Sequence, residues 1–81
     1  MEQSSEQTTA RSTSDLVAVV EALIFVADEP VTAKLLAEVL GEERDAIRAA
    51  VEQLAADLAE RGSGLQIREI AGGYQIATRT E

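Results

Sequence analysis

The chain has 81 residues, enough for one small domain, with a net charge of -8 and neither Cys nor His. Those two absences exclude a disulfide framework, thiolate chemistry, the usual general base at neutral pH and the commonest metal ligand. The charge opposes DNA binding, which draws most of its affinity from Lys and Arg on phosphate, and the longest apolar run, Leu23 to Ala27, is far too short to span a membrane.

Residues 1–14 are rich in Ser, Thr, Gln and Glu and nearly free of large apolar groups. Such a segment does not repay its ordering entropy, so a disordered polar tail is predicted over 1–14 and a folded domain over 15–81. No basic region followed by an apolar one opens the chain, so no secretion signal is expected and the predicted location is cytoplasmic. Ser14-Asp15 offers an N-cap to a first helix. Leu16, Val19, Val20, Leu23, Ile24 and Ala27 follow at helical spacing. This helix ends before Asp28-Glu29-Pro30, because the residue ahead of a proline disfavours the helical region.

Val31 is placed in a strand of one or two residues. Thr32 is the next N-cap candidate, and Leu35, Leu36, Val39 and Leu40 are the expected apolar face of a short second helix. Gly41 suits its C-terminal cap. A third helix starts near Glu42 or Glu43 and repeats Ile47, Ala50, Val51, Leu54, Ala55 and Leu58 every three or four residues until Gly62. After Gly62-Ser63-Gly64 the period changes to that of strands. LQIREI and YQIAT are joined around Ala71-Gly72-Gly73, a hairpin signal. Leu65 and Ile67 share one face, as do Tyr74 and Ile76, but the phase slips at Glu69-Ile70 and leaves the register open. With one Phe, one Tyr and no Trp, the core is expected to be aliphatic.

Three helices and a hairpin in this order predict a mainly α fold with a two-stranded wing, a winged helix-turn-helix. The composite ALIFVADEPVTAKLLAEVLG, a long amphipathic helix and GLQIREIAGGYQIATR resembles the N-terminal domain of the segregation and condensation protein B family. The matching residues are Leu23, Ile24, Phe25, Val26, Glu29 and Pro30, then Leu36, Ala37 and Leu40. In the wing they are Ile70, Ala71, Gly72, Gly73 and Tyr74. The resemblance covers roughly residues 15–80 and implies the first of two winged-helix domains in a non-catalytic subunit of the bacterial condensin-like complex. It implies self-association as a homodimer. Its further partners are the kleisin, segregation and condensation protein A, and through it the structural maintenance of chromosomes ATPase. It also implies association with the nucleoid through that complex.

The residues carry this reading against its rival, a winged-helix transcription regulator bound to DNA. Arg44 and Arg48 stand one turn apart where such a protein reads bases, yet Glu42, Glu43 and Asp45 surround them. Acids early in a helix also suit its dipole. Gly72-Gly73 opens no helix and reads as a turn rather than a phosphate cradle. Asp28-Glu29 has no compact ligand loop around it and reads as a helix terminus. No catalytic constellation, cofactor site or metal site is identified, so no enzyme is expected. The first helix is more informative. At about 100° per residue its apolar stripe covers about 180°, and Phe25 lies opposite the centre, beside Ala18 and Ala22. Two readings of Phe25 stay open: it folds under the wing or a neighbouring helix, or it meets a second chain. The candidate dimer interface is therefore Ala18, Ala22 and Phe25, extended by Tyr74 of the wing.

Overall fold

The computed structural model describes residues 12–79. Six elements follow in chain order: helix α1 (Thr13–Val26), strand β1 (Val31–Thr32), helices α2 (Ala33–Leu40) and α3 (Arg44–Glu60), and strands β2 (Leu65–Ile70) and β3 (Gly73–Thr78). The strands form one antiparallel sheet in the order β1-β3-β2. The expected winged helix-turn-helix is therefore present, with β1 as a short third strand beside the wing.

α1 starts two residues earlier than the sequence reading placed it. The N-cap is Ser12, whose hydroxyl accepts from the Asp15 backbone N–H at 3.2 Å, and not Ser14, which lies inside the first turn. The predicted tail thus loses its last residues to the cap and the helix; residues 1–11 lie outside the described residues. Thr32 caps α2 as expected, accepting from the Leu35 N–H at 3.0 Å. α3 begins at Arg44 after Glu43, which makes no side-chain cap bond.

Both later helices end on a left-handed glycine. Gly41 (φ 68°) lets the Glu42 N–H reach the Ala37 carbonyl at 3.0 Å. Gly62 (φ 65°) lets the Ser63 N–H reach Leu58 and its own N–H reach Ala59. These bonds satisfy carbonyls that a helix end leaves orphaned.

The core is aliphatic. α1 contributes Leu16, Val17, Val20 and Ile24; α3 contributes Ile47, Ala50, Val51, Leu54 and Leu58; Val31, Ala33 and Leu36 close it. Full burial of each Leu, Ile or Val stabilises the fold by about 1.5–3 kcal/mol, so α3, with five buried positions at helical spacing, is its central beam. Arg61, the residue that caps α3, reaches Glu21 of α1 at 3.9 Å, with Arg61 largely in solvent and Glu21 half-buried, and so partly solvated a pair adds little.

The hairpin register is now fixed: Ile67 opposes Ile76, Glu69 opposes Tyr74 and Ile70 opposes Gly73. Ala71 (φ 52°) and Gly72 (φ 81°) alone form the turn, and two successive positive φ values define a type I′ hairpin. Alternation along β2 then puts Leu65, Ile67 and Glu69 on the face shared with Tyr74 and Ile76, and Ile70 on the other. The apparent slip at Glu69-Ile70 is a polar residue ending the inner face, not a bulge.

Candidate interaction surfaces

α1 is apolar on nearly all sides between Leu16 and Ala27, with Glu21 the exception. A helix of that kind is normally buried all round. Here only one side is: taking Val20 as the centre of the buried face, Ala18, Ala22, Phe25 and Val26 project from the opposite side within an arc of about 100°. All four are exposed, Phe25 by 65% and Val26 by 70%. Of the two readings of Phe25, folding into this domain's own core is ruled out. Val26, which a spacing of about 100° per residue puts at one edge of the 180° apolar stripe, is turned outward. It widens the strip that Phe25 heads.

Tyr74 is not part of that strip. It is half-buried against the core and lines a cleft between α3 and the wing, with Arg48, Val51, Glu52, Ala55 and Ile67. A second groove continues this cleft along β2 and shares Ala55 and Ile67 with it, adding Leu58, Leu65 and Arg79. The structure therefore gathers Ala18, Ala22 and Phe25 on one surface and places Tyr74 in another.

The sequence reading missed a further apolar pair. Leu35 and Val39 of α2 are exposed by 49% and 62%, although both were assigned to that helix's buried face. The buried side is set by Ala33 and Leu36, with Ala37 and Leu40 half-buried beside them. The alanines were the available signal: a short helix that packs closely turns its small residues inward, and Leu35 and Val39 project from the other flank.

The start of α3 carries little positive potential. Arg48 is held by Asp45 at 3.6 Å, both exposed, and Glu43 and Glu42 precede it. Among the described residues no polar or charged side chain is buried, and no three His, Cys, Asp or Glu converge to hold a metal ion. No described helix is long and apolar enough to cross a membrane.

Residues 18–81 match the family model of the segregation and condensation complex subunit ScpB. The chain belongs to this family. Segregation and condensation protein B of Symbiobacterium thermophilum is 45% identical over 64 residues, which cover 78% of this chain and 29% of that protein. The Moorella thermoacetica protein of the same name is 45% identical over 71 residues, covering 83% and 34%. The chain thus spans about a third of the length of these curated relatives. Among solved structures, Mycobacterium tuberculosis ScpB superposes with a TM-score of 0.82 at 32% identity, over 89% of this chain and 45% of that one. A ScpB N-terminal domain solved as a dimer in complex with a ScpA peptide superposes with a TM-score of 0.77 at 31% identity, over 83% and 84%.

Proposed function

We propose that this chain is the first of two winged-helix domains of a ScpB subunit and works as a non-catalytic interaction module in chromosome condensation and segregation. In this reading it pairs with a second copy, takes the kleisin ScpA and through it joins the SMC ATPase, in the cytoplasm at the nucleoid. It uses no cofactor and makes no direct contact with DNA. The observation that carries the proposal is the apolar strip of Ala18, Ala22, Phe25 and Val26 on the outer side of α1. It stands in a domain whose structural relative, of nearly the same extent, is a dimer bound to a ScpA peptide. Small alanines around one aromatic let a second helix approach closely, and aromatic anchors carry much of the energy at interface centres.

Sedimentation of the chain alone and with purified ScpA tests this: a dimer is expected alone, and a heavier species with ScpA. A monomer that ignores ScpA at micromolar concentrations overturns it. A duplex DNA titration at physiological salt addresses the rival regulator. Negligible binding is expected from the charge of -8, and sub-micromolar binding would favour the regulator.

A further inference from the structure

Among the described residues nothing covers the outer face of α2. Lys34, Leu35, Glu38 and Val39 are all exposed there, within an arc of about 140° at 100° per residue. They make two parallel rows. Leu35 and Val39 form an apolar row, and Lys34 and Glu38 form a charged row beside it.

The two charges stand at the wrong ends of their own helix. Lys34 is the second residue of α2 and Glu38 lies in its last turn, while no acid occupies the first turn and no base the last. A helix carries partial positive charge at its N-terminus and partial negative charge at its C-terminus, so each residue is repelled where it sits. Lys ahead of Glu at this spacing is also the weaker order for a pair along one helix. Among the described residues neither side chain enters a salt bridge.

A second copy of α2, crossing antiparallel about a two-fold axis, reverses both mismatches. Such a contact is self-complementary: Leu35 lies beside Val39 of the second copy, and Val39 beside its Leu35. The rotation turns the helix end for end and keeps both charged rows on the same rim. Lys34 then meets Glu38 of the second copy near the C-terminal end of that helix, and Glu38 meets its Lys34 near the N-terminal end. Each charge gains an opposite charge and the favourable end of a dipole.

We propose that the outer face of α2 is a second self-association surface, which seats α2 of another copy antiparallel, Leu35 against Val39, with Lys34–Glu38 pairs at the rim. The contact does not depend on the α1 strip. With that strip, one chain holds two separate two-fold contacts, and copies paired through α1 are joined to further pairs through α2 as a closed tetramer or an open line. Two large apolar side chains per copy place the contact in the small, transient class. It operates where copies are tethered together, since a short link raises effective concentration into the millimolar range.

The test is sedimentation of the whole chain up to about 1 mM, where a weak contact is populated, with circular dichroism to follow folding. The wild-type chain is expected to exceed dimer mass as concentration rises, and Val39→Glu to stop at the dimer. Ala22→Glu, which blocks the α1 strip, is expected to pair only toward the top of that range. In its background Lys34→Glu and Glu38→Lys each set like charges against each other across the contact and should weaken it at least ten-fold. An equimolar mixture of these two variants restores opposite charges in both pairs and should recover the association. A wild-type chain that stops at the dimer while Ala22→Glu stays monomeric overturns the inference and leaves the α1 pairing standing. Charge variants that associate normally, or a mixture that does not recover, overturn the antiparallel α2 contact. Association untouched by Ala22→Glu but abolished by Val39→Glu removes the α1 reading and keeps α2 as the seam. A wild-type chain monomeric throughout removes both.

Discussion

Gly73 lies directly against Pro30: a Cβ built on it would stand 2.9 Å from the Pro30 Cβ, 3.1 Å from its carbonyl carbon and 3.2 Å from the Val31 nitrogen. Two of these three atoms belong to backbone, which does not move aside like the tip of a side chain. The contact is where β1 meets β3, through Thr32 opposite Gly73 and Val31 opposite Tyr74. Gly73→Ala is therefore expected to prise β1 from the sheet and destabilise the domain by about 1–3 kcal/mol, the usual range for overpacking. A thermal melt should show a fall of about 5 °C or more. An unchanged midpoint would mean that the Pro30 turn relaxes freely.

This contact shows where sequence reading stops. The Ala71-Gly72-Gly73 cluster was legible as a hairpin signal, and both glycines were credited to the turn. Only Gly72 serves it. Gly73 answers to a residue 43 positions earlier (73 minus 30), and no local pattern carries such a pairing. Leu35 and Leu36 make the same point on a smaller scale. Both are large and apolar, yet one is 49% exposed and the other 1%; which side of α2 is inner depends on where α3 lies. What was legible was the periodic part: the three helices, their glycine stops and the two strands. Of the candidate interface, Ala18, Ala22 and Phe25 were legible because one helix's geometry places them together. The position of Tyr74 depended on how the wing folds onto α3.

Ala71 sits at φ 52°, a region where a Cβ is crowded by the following carbonyl at a cost of roughly 1–2 kcal/mol. Asn tolerates that conformation, and Asn-Gly is the preferred pair of a type I′ turn. Ala71→Asn is expected to stabilise the domain by relieving part of that strain, at most about 1 kcal/mol, seen as a rise of a few degrees in the thermal midpoint with ScpA binding unchanged. A lower midpoint would show that the Ala71 methyl makes a contact outweighing its strain.

The cap at Ser12 makes the N-terminal boundary testable. Its hydroxyl satisfies the Asp15 N–H, one of the donors that the start of a helix leaves orphaned. Ser12→Ala is expected to cost about 1 kcal/mol in urea unfolding, whereas Ser14→Ala, inside the exposed first turn, should cost less. Truncation to residue 12 and truncation to residue 15 should then differ by at least the value of the cap. Equal stability of the two truncations would return the helix start to Ser14-Asp15.

The outer face of α1 gives a prediction that separates interface from fold. Because Phe25 is 65% exposed, Phe25→Ala removes little buried area from the single domain. Its unfolding free energy at low concentration should change by less than about 1 kcal/mol, well short of the 3–5 kcal/mol typical of a buried Phe. The dimer is a different matter. If Phe25 anchors it, the loss of so large a contact should weaken association at least ten-fold, which is about 1.4 kcal/mol or more. Ala22→Glu asks the same question without touching the aromatic. A carboxylate on an exposed helix position is tolerated in the monomer, but burying it unpaired against a second copy is costly. Both variants are expected to stay helical by circular dichroism and to sediment as monomers at concentrations where the wild type is paired. Tyr74→Ala supplies the contrast. Tyr74 packs against the core and the α3–wing cleft, so its loss should lower stability and leave the pairing of α1 strips intact. A folded Ala22→Glu that dimerises like wild type would move the homodimer contact off α1, and the exposed Leu35 and Val39 of α2 would become the next surface to charge.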